Sequence, residues 1–487
     1  MASGDELVRL TAREAVRLLE AGEVSPLELI DAAAARIEAV EPAINALPTL
    51  CLDRARDFAK RLPTTRPDAR SPEGRGWLAG LPVAIKDLMD VEGVRTTYGS
   101  PIHADHVPTA SHPLVERIEA RGGVVIAKSN TPEFGAGGNT YNEVFGKTRN
   151  PWNTALTPAG STGGGAAALA AGEVWLAHGS DHGGSLRGPA SFTSTVGLRP
   201  SPGRVTRGTA NNLFSPSSVE GPMARNVPDI ALFLDTMAGQ CPHDPLTRLA
   251  PARGYADTVD AALAEQKAWW PKRVAWTPDL GGSAPVSKVV RSICEATVRK
   301  LEGAGVAVEA ACPEVGDIGE AFQILRAMIF VVTHGERLKT HRHMIKPDII
   351  WNTEKGLKQT PEQVAWAERE RAAFYRRVVA FFETYDLLLL PTSVVPPYDV
   401  NKTHIDEVDG VKFDNYIAAS MTTSSITLSA CPAISIPAGF TEDGRPVGLQ
   451  MVGKPHDEAG LLAAAALLEE LTGFSKLLPI DPRAGTA

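Results

Sequence analysis

Paired cysteines are missing from this chain. Its five cysteines (Cys51, Cys241, Cys294, Cys312 and Cys431) are scattered, and no two form a C-x-x-C pair. An odd, dispersed set excludes a disulfide framework and fits reduced thiols in the cytoplasm. No uninterrupted apolar stretch approaches the ~18–20 residues that span a bilayer. The N-terminal MASGDELVRL carries acidic residues where a signal peptide has a basic region and an apolar run. Basic blocks are missing too: 49 Lys and Arg against 57 Asp and Glu leave a net charge of −8, so no electrostatic footprint for nucleic acid is visible. Internal repeats, low-complexity tracts and linkers are equally absent. The 487 residues, 43% of them hydrophobic, are therefore read as one large domain, 1–487, able to bury a sizeable core. The expected protein is cytoplasmic, a monomer or homodimer, with a small-molecule substrate and neither nucleic acid nor membrane as partner.

What is present is an alternation of short apolar strands and helices. Thr11 with Glu14, and Ser25 with Glu28, fit capping boxes, and Pro26 sits at the first position of the second helix. Residues 60–77, rich in Pro, Arg, Thr and Ser, read as a surface loop. PVAIKD (82–87), GGVVIAKSN (122–130) and EVWLAHGSD (173–181) read as strands with polar ends, and GSTGGGAAALAAG (160–172) as a turn leading into an alanine-rich helix. Later, YDLLLLPTSVVPP (385–397) and ITLSACPAISIPAGF (426–440) are β-like, whereas 320–385 looks mostly helical, with Trp351, Trp366, Phe374 and Tyr375. Strands alternating with helices predict an α/β sheet covered on both faces.

The densest chemistry lies in GSDHGGSLRGPASF, 179–192. It has the ingredients of a Ser-His-Asp hydrolase but lacks the G-x-S-x-G elbow, since 183–187 reads GGSLR. His182 stands three residues before Ser185 in a glycine turn, a position that contributes backbone more naturally than an imidazole base. The N–H groups of His182, Gly183, Gly184 and Ser185 could converge on one point and form an oxyanion hole. Lys86 ends an apolar strand. It either pairs with Asp87 or snorkels to the surface, or it is buried with a depressed pKa and acts as a general base. Ser161, taken alone, reads as a helix N-cap.

Taken together, Lys86, GSTGGG (160–165) and GSDHGGSLRGPASF resemble the amidase signature family. KSNTPEFG, GKTRNPWN, VGLRPSPGRV, YDLLLLPT and CPAISIPAGFTEDGRPVGLQMVG extend the likeness over nearly the whole chain. The resemblance implies a large mixed, mostly parallel central sheet flanked by helices, with a catalytic core at about 75–210 and a pocket-covering segment at about 320–385. It implies a Ser-cisSer-Lys triad that cleaves C–N acyl bonds with no cofactor and no metal. Ser185 would be the nucleophile, Ser161 the relay after a cis peptide bond, and Lys86 the base. Gly135, Ala136 and Gly137 would lie along the substrate, with His182 lining the pocket. Ser180, Asp181, Arg187 and Thr162 would support the site. Thr162, Ser180 and His182 depart from the residues common in the family at those positions.

Two histidine groups (His103, Asp105, His106 and His112; His341 and His343) lack zinc spacing and read as polar loops. The glycine loop at 135–138 offers space rather than a charged anchor, so an uncharged, aryl or extended amide or carbamate is expected. The competing readings are a glutamine-hydrolysing subunit of a tRNA-dependent amidotransferase and a catalytically silent binding protein on the same fold.

Overall fold

In the computed structural model, which describes residues 4–63, 67–68, 71, 74–208 and 210–485, both N-terminal capping boxes form as the sequence implies. The Thr11 and Ser25 hydroxyls accept from the N–H groups of Glu14 and Glu28, at 3.1 and 3.3 Å, and open helices Ala12–Glu20 and Pro26–Ile44. Part of the loop expected at 60–77 lies outside the described residues. Among the described residues, no helix is long and apolar enough to cross a membrane.

Eleven strands form one sheet. In chain order they are β1 (Thr49–Leu50), β2 (Pro82–Lys86), β3 (Val124–Ser129), β4 (Leu176–Asp181), β5 (Val196–Arg199) and β6 (Val219–Ala224). They continue with β7 (Arg273–Trp276), β8 (Ala307–Ala310), β9 (Leu387–Pro391), β10 (Ala433–Phe440) and β11 (Pro446–Val452). The order across the sheet is β1-β3-β2-β4-β6-β5-β10-β11-β9-β7-β8. The expected large mixed sheet with helical cover is found, but its parallel pairs are confined to two blocks, β3-β2-β4 and β9-β7-β8. The strands between them pair antiparallel. This narrows the expectation of mostly parallel pairing, and the reason is local for β10 and β11. The tight 441–445 turn, with Gly444 at φ +80°, joins them, and so short a connection permits only an antiparallel pair.

The first parallel block positions the site. Because β3, β2 and β4 run the same way, their C-terminal residues Ser129, Lys86 and Asp181 arrive at one edge of the sheet, where open α/β sheets bind ligands. Helix Gly163–Ala171, buried along its whole length, begins just after Ser161 and packs against this block. Its glycines permit the approach: a Cβ at Gly164 would stand 2.4 Å from the Asn130 nitrogen. The segment expected to be helical does form helices, Ile318–His341, Pro347–Leu357 and Pro361–Phe381.

A buried carboxylate locks the turn that follows β4. Asp181 receives Arg187 Nη2 at 2.8 Å and Nε at 3.0 Å, Arg199 Nη1 at 3.2 Å, and the N–H groups of Gly184 and Leu186 at 3.0 and 3.2 Å. Burial alone would raise this carboxyl's pKa, but the two guanidinium groups and the Leu186 N–H hold it far below the usual range. Arg187 also donates to Gln450 Oε1 at 2.6 Å and to the Thr423 carbonyl at 3.0 Å, which ties the turn to β11 and to helix Met421–Leu428. Breaking such a pair leaves a buried charge short of donors and typically costs about 3–5 kcal/mol. Arg187→Met should lower the unfolding free energy in a urea titration by about that amount. A loss below ~1 kcal/mol would show that the network does not hold the turn.

Candidate active site

The Lys86 amine is fully buried at the end of β2. Asp87, its neighbour in sequence, is engaged by another lysine: Lys128 Nζ lies 2.9 Å from Asp87 Oδ1 and 2.7 Å from Thr96 Oγ1. Successive residues leaving a strand face opposite ways, so Lys86 and Asp87 are directed to different partners. Lys86 Nζ meets only hydroxyls, at 2.7 Å from Ser161 Oγ, 2.9 Å from Thr162 Oγ1 and 3.1 Å from Ser180 Oγ. Among the described residues it forms no ion pair. Burial brings its pKa down to about 7, against an upward pull from the charges of Glu220 and Asp181. Two of the three departures from the family pattern, Thr162 and Ser180, thus retain a hydroxyl that contacts the amine.

The peptide bond before Ser161 is cis, as the resemblance implies. The Thr162 N–H donates to the Ser185 carbonyl at 3.2 Å, which joins the two serine segments. Ser161, Ser180 and Ser185 line one cavity, together with Gly135. Gly135 has φ +71°, and a Cβ there would lie 2.8 Å from Leu88 Cδ1 and 3.5 Å from Ser161 Oγ. The glycine loop therefore passes directly over Ser161.

Two expected assignments change. The four-amide oxyanion hole loses one member, because the Gly184 N–H is spent on Asp181 Oδ1 at 3.0 Å. The N–H groups of His182, Gly183 and Ser185 donate to no protein acceptor among the described residues and are the ones available to an oxyanion. Gly184 retains a steric role: at φ +117°, a Cβ would stand 2.4 Å from Thr423 Oγ1. The second change concerns Ala136. Its methyl group is buried among Phe330, Ile345 and Ile349 rather than facing a cavity, while Gly135, Gly137 and Gly138 form the lining.

His182 sits where a pocket residue would. Its Nδ1 pairs with Ser218 Oγ at 3.1 Å, and its ring lies against Phe322 with centroids 5.3 Å apart. Burial first, then the nearby Arg326 and Arg199, pushes its pKa well below the usual imidazole range, so it is neutral. The other histidines have local duties. His112 Nδ1 accepts from the Leu114 N–H at 3.1 Å and caps helix Pro113–Ala120, His106 stacks on Tyr98, and His103 meets the same ring edge-on. Among the described residues, no three His, Cys, Asp or Glu side chains are grouped to hold a metal ion.

Two cavities meet at Gly135, His182, Ser185 and Arg326. One is walled by Phe192, Phe322, Tyr398 and Tyr416; the other is more polar, with Arg207, Asn212, Glu220 and Arg337. The glycine loop brings no charge to this junction, as expected, but Arg326 does. This arginine comes from helix Ile318–His341, far along the chain from the motifs. The available signal was a lone arginine in the apolar run ILRAMIF, four residues from both Phe322 and Phe330 and thus on their helical face.

The Lys86 environment makes stability depend on pH. The folded chain holds this proton more weakly than the unfolded chain, where a lysine has a pKa of ~10.4. Between about pH 7 and about pH 10 the unfolded state binds more protons, so this group adds stability as the pH rises. Denaturant titrations should show wild type gaining on Lys86→Met by up to about 1.4 kcal/mol per pH unit across that window. A difference independent of pH would place the amine at an ordinary pKa.

A family model described as Amidase matches residues 28–462. The glutamyl-tRNA(Gln) amidotransferase A subunit of Synechococcus sp. (strain CC9605) is 33% identical over 477 residues, 93% of this chain and 94% of that protein. An acylamidase of Rhodococcus erythropolis is 31% identical over 477 residues, 97% of each chain. The solved structure of a bacterial aryl acylamidase of the amidase signature enzymes superposes with a TM-score of 0.86 at 27% identity, over 96% of this chain and 97% of that one. With the family model spanning most of its length and relatives aligned nearly end to end, the chain belongs to the amidase signature family.

Proposed function

We propose that this amide hydrolase works alone, through a Ser-cisSer-Lys relay and an acyl-enzyme, on aryl amides and aryl carbamates. The observation that carries the reading is the buried Lys86 amine, 2.7 Å from Ser161 Oγ, with no carboxylate to keep it charged. With the amine neutral, that hydrogen bond runs the other way: Lys86 accepts the Ser161 proton as Ser161 accepts the proton of Ser185. Ser185 Oγ then attacks the carbonyl carbon, and the developing oxyanion meets the free N–H groups of the 182–185 turn. The proton returns through Ser161 to the leaving nitrogen as the C–N bond breaks. Water, activated by the same relay, then hydrolyses the Ser185 ester and frees the acid. A carbamate adds one oxygen on the acyl side and follows the same route.

The aromatic walls of the first cavity support an aryl arm. The domain is read as a single unit, with its catalytic core at about 75–210 and the 320–385 segment as its cover; Phe322 and Arg326 of that segment face the cavity. Five free cysteines support a cytoplasmic location. The second reading, glutamine hydrolysis for a partner that amidates charged tRNA, is favoured by the 33% identity to an amidotransferase A subunit.

A panel of neutral 4-nitroanilides and aryl carbamates separates the two. The isolated chain should turn over members of both classes, with kcat/KM rising through an apparent pKa near the Lys86 value of about 7. Below it, each pH unit should cost about tenfold, since the base must be neutral. Activity confined to glutamine, and only beside a co-purifying partner, would establish the second reading. His182→Ala should change the order of preference within the panel while kcat on the best substrate falls less than ~10-fold. A uniform loss on the order of 10²–10⁴ would make His182 a general base instead.

A further inference from the structure

Arg326 stands where the two cavities meet, and its charge has no counter-ion among the described residues. The residue is 9% exposed. Its Nη2 donates to the Tyr416 hydroxyl at 3.0 Å, and its guanidinium carbon lies 4.5 Å from the Phe330 ring centroid and 5.7 Å from that of Tyr416. Its Nε has no acceptor, and among the described residues Arg326 makes no ion pair. Of the other arginines nearby, Arg187 and Arg199 bind Asp181, and the half-buried Arg207 spends both terminal nitrogens on Asn212 and the Ser215 carbonyl, although the Nε atoms of Arg199 and Arg207 also have no acceptor among the described residues.

The carboxylates that border the second cavity are engaged as well. Asp90 accepts from the Tyr98 hydroxyl at 2.5 Å, Asp181 from its two arginines, and Glu220 lies 2.9 Å from His178 Nε2. The first cavity has no aspartate or glutamate in its lining. A guanidinium keeps its proton at any working pH. The Phe330 and Tyr416 faces offset part of the cost of burying it, and an anion supplied by a ligand would offset more. Its Nη1 has no protein acceptor among the described residues and can give a carboxylate charge-assisted hydrogen bonds.

We propose that Arg326 is the anchor for a carboxylate carried by the substrate, so that the preferred substrates are amides or carbamates with an anionic arm. The inference rests on the hydrolase reading above and names its substrate class. The aromatic walls hold the hydrocarbon or aryl part of that arm, and Arg326 fixes its end. Ser185 and the glycine loop border the same space, so the anchor sets how the scissile carbonyl lies over the nucleophile.

The test uses two matched pairs of substrates. Glutaric acid mono-4-nitroanilide and its methyl ester place the charge on the acyl arm. N-butyryl-4-aminobenzoate and its methyl ester place it on the amine arm. In at least one pair, wild type should favour the acid over the ester by tenfold or more in kcat/KM. Arg326→Met should bring that ratio to one or below, and Arg326→Lys should keep part of it. Calorimetric titration of the same pairs into Ser185→Ala reads the anchor without turnover, and the acid should bind at least tenfold more tightly than the ester. Ester-favouring ratios in both pairs, or an acid preference that survives Arg326→Met, would overturn the anchor. If neutral anilides are turned over but the acid gains nothing, the hydrolase reading stands and this one falls. If nothing is turned over yet Ser185→Ala still binds the acid through Arg326, the anchor stands and the hydrolase reading falls.

Discussion

Desolvation of the Lys86 amine is the constraint around which the site is arranged. A lysine removed from water normally takes a carboxylate with it, and Lys128 on the neighbouring strand does so with Asp87. Lys86 is buried just as completely but meets three hydroxyls. The pairing of Lys128 with Asp87 is therefore part of the site's design, because it removes the one acid that chain connectivity would have offered to Lys86. Of the negative charges that pull on the amine, Glu220 lies 2.9 Å from His178 Nε2 and Asp181 is held by two arginines. What is left is an amine poised between its charged and neutral forms near neutral pH.

The sheet explains how these groups meet. Lys86 and Asp181 end two adjacent parallel strands, and Ser161 precedes a glycine-alanine helix slim enough to lie against that block. The Asp181 carboxylate then ties down the N–H groups of Gly184 and Leu186, which curls the chain so that Ser185 is presented at the cavity. The same carboxylate therefore both shapes the turn and withdraws the Gly184 amide from the four expected to face an oxyanion. Arg187 extends the tie to Thr423 and Gln450, so that distant parts of the chain close around a single buried charge.

Much of this arrangement is legible in the amino-acid sequence. Residues near one another in sequence carry their geometry with them: the capping boxes at Thr11 and Ser25, the strand-end lysine, and the glycine turn around Ser185. What escapes such reading depends on contacts between distant segments. The antiparallel centre of the sheet brings β5 against β10, and no local pattern announces that pairing. Ala136 lies in a glycine loop that borders the cavity, yet its methyl group turns into a small cluster built by Phe330 and Ile349. Arg326 comes from a helix whose apolar spacing looks like ordinary packing until the fold sets it over Ser185's cavity. His182, three residues before Ser185, looks like a base by composition alone, but its place in the glycine turn argues for a pocket-lining residue, and its ring rests on Ser218 and Phe322.

One nucleophile activated by one remote amine is the centre of the proposed chemistry, and covalent labelling tests it most directly. A serine-directed phosphonylating reagent, followed by peptide mass spectrometry, should give a single adduct on Ser185. Labelling should fall as the pH drops below about 7, where Lys86 becomes protonated, and it should be abolished in Lys86→Met. An adduct on Ser161 or any other residue, or labelling that persists without Lys86, would contradict the relay.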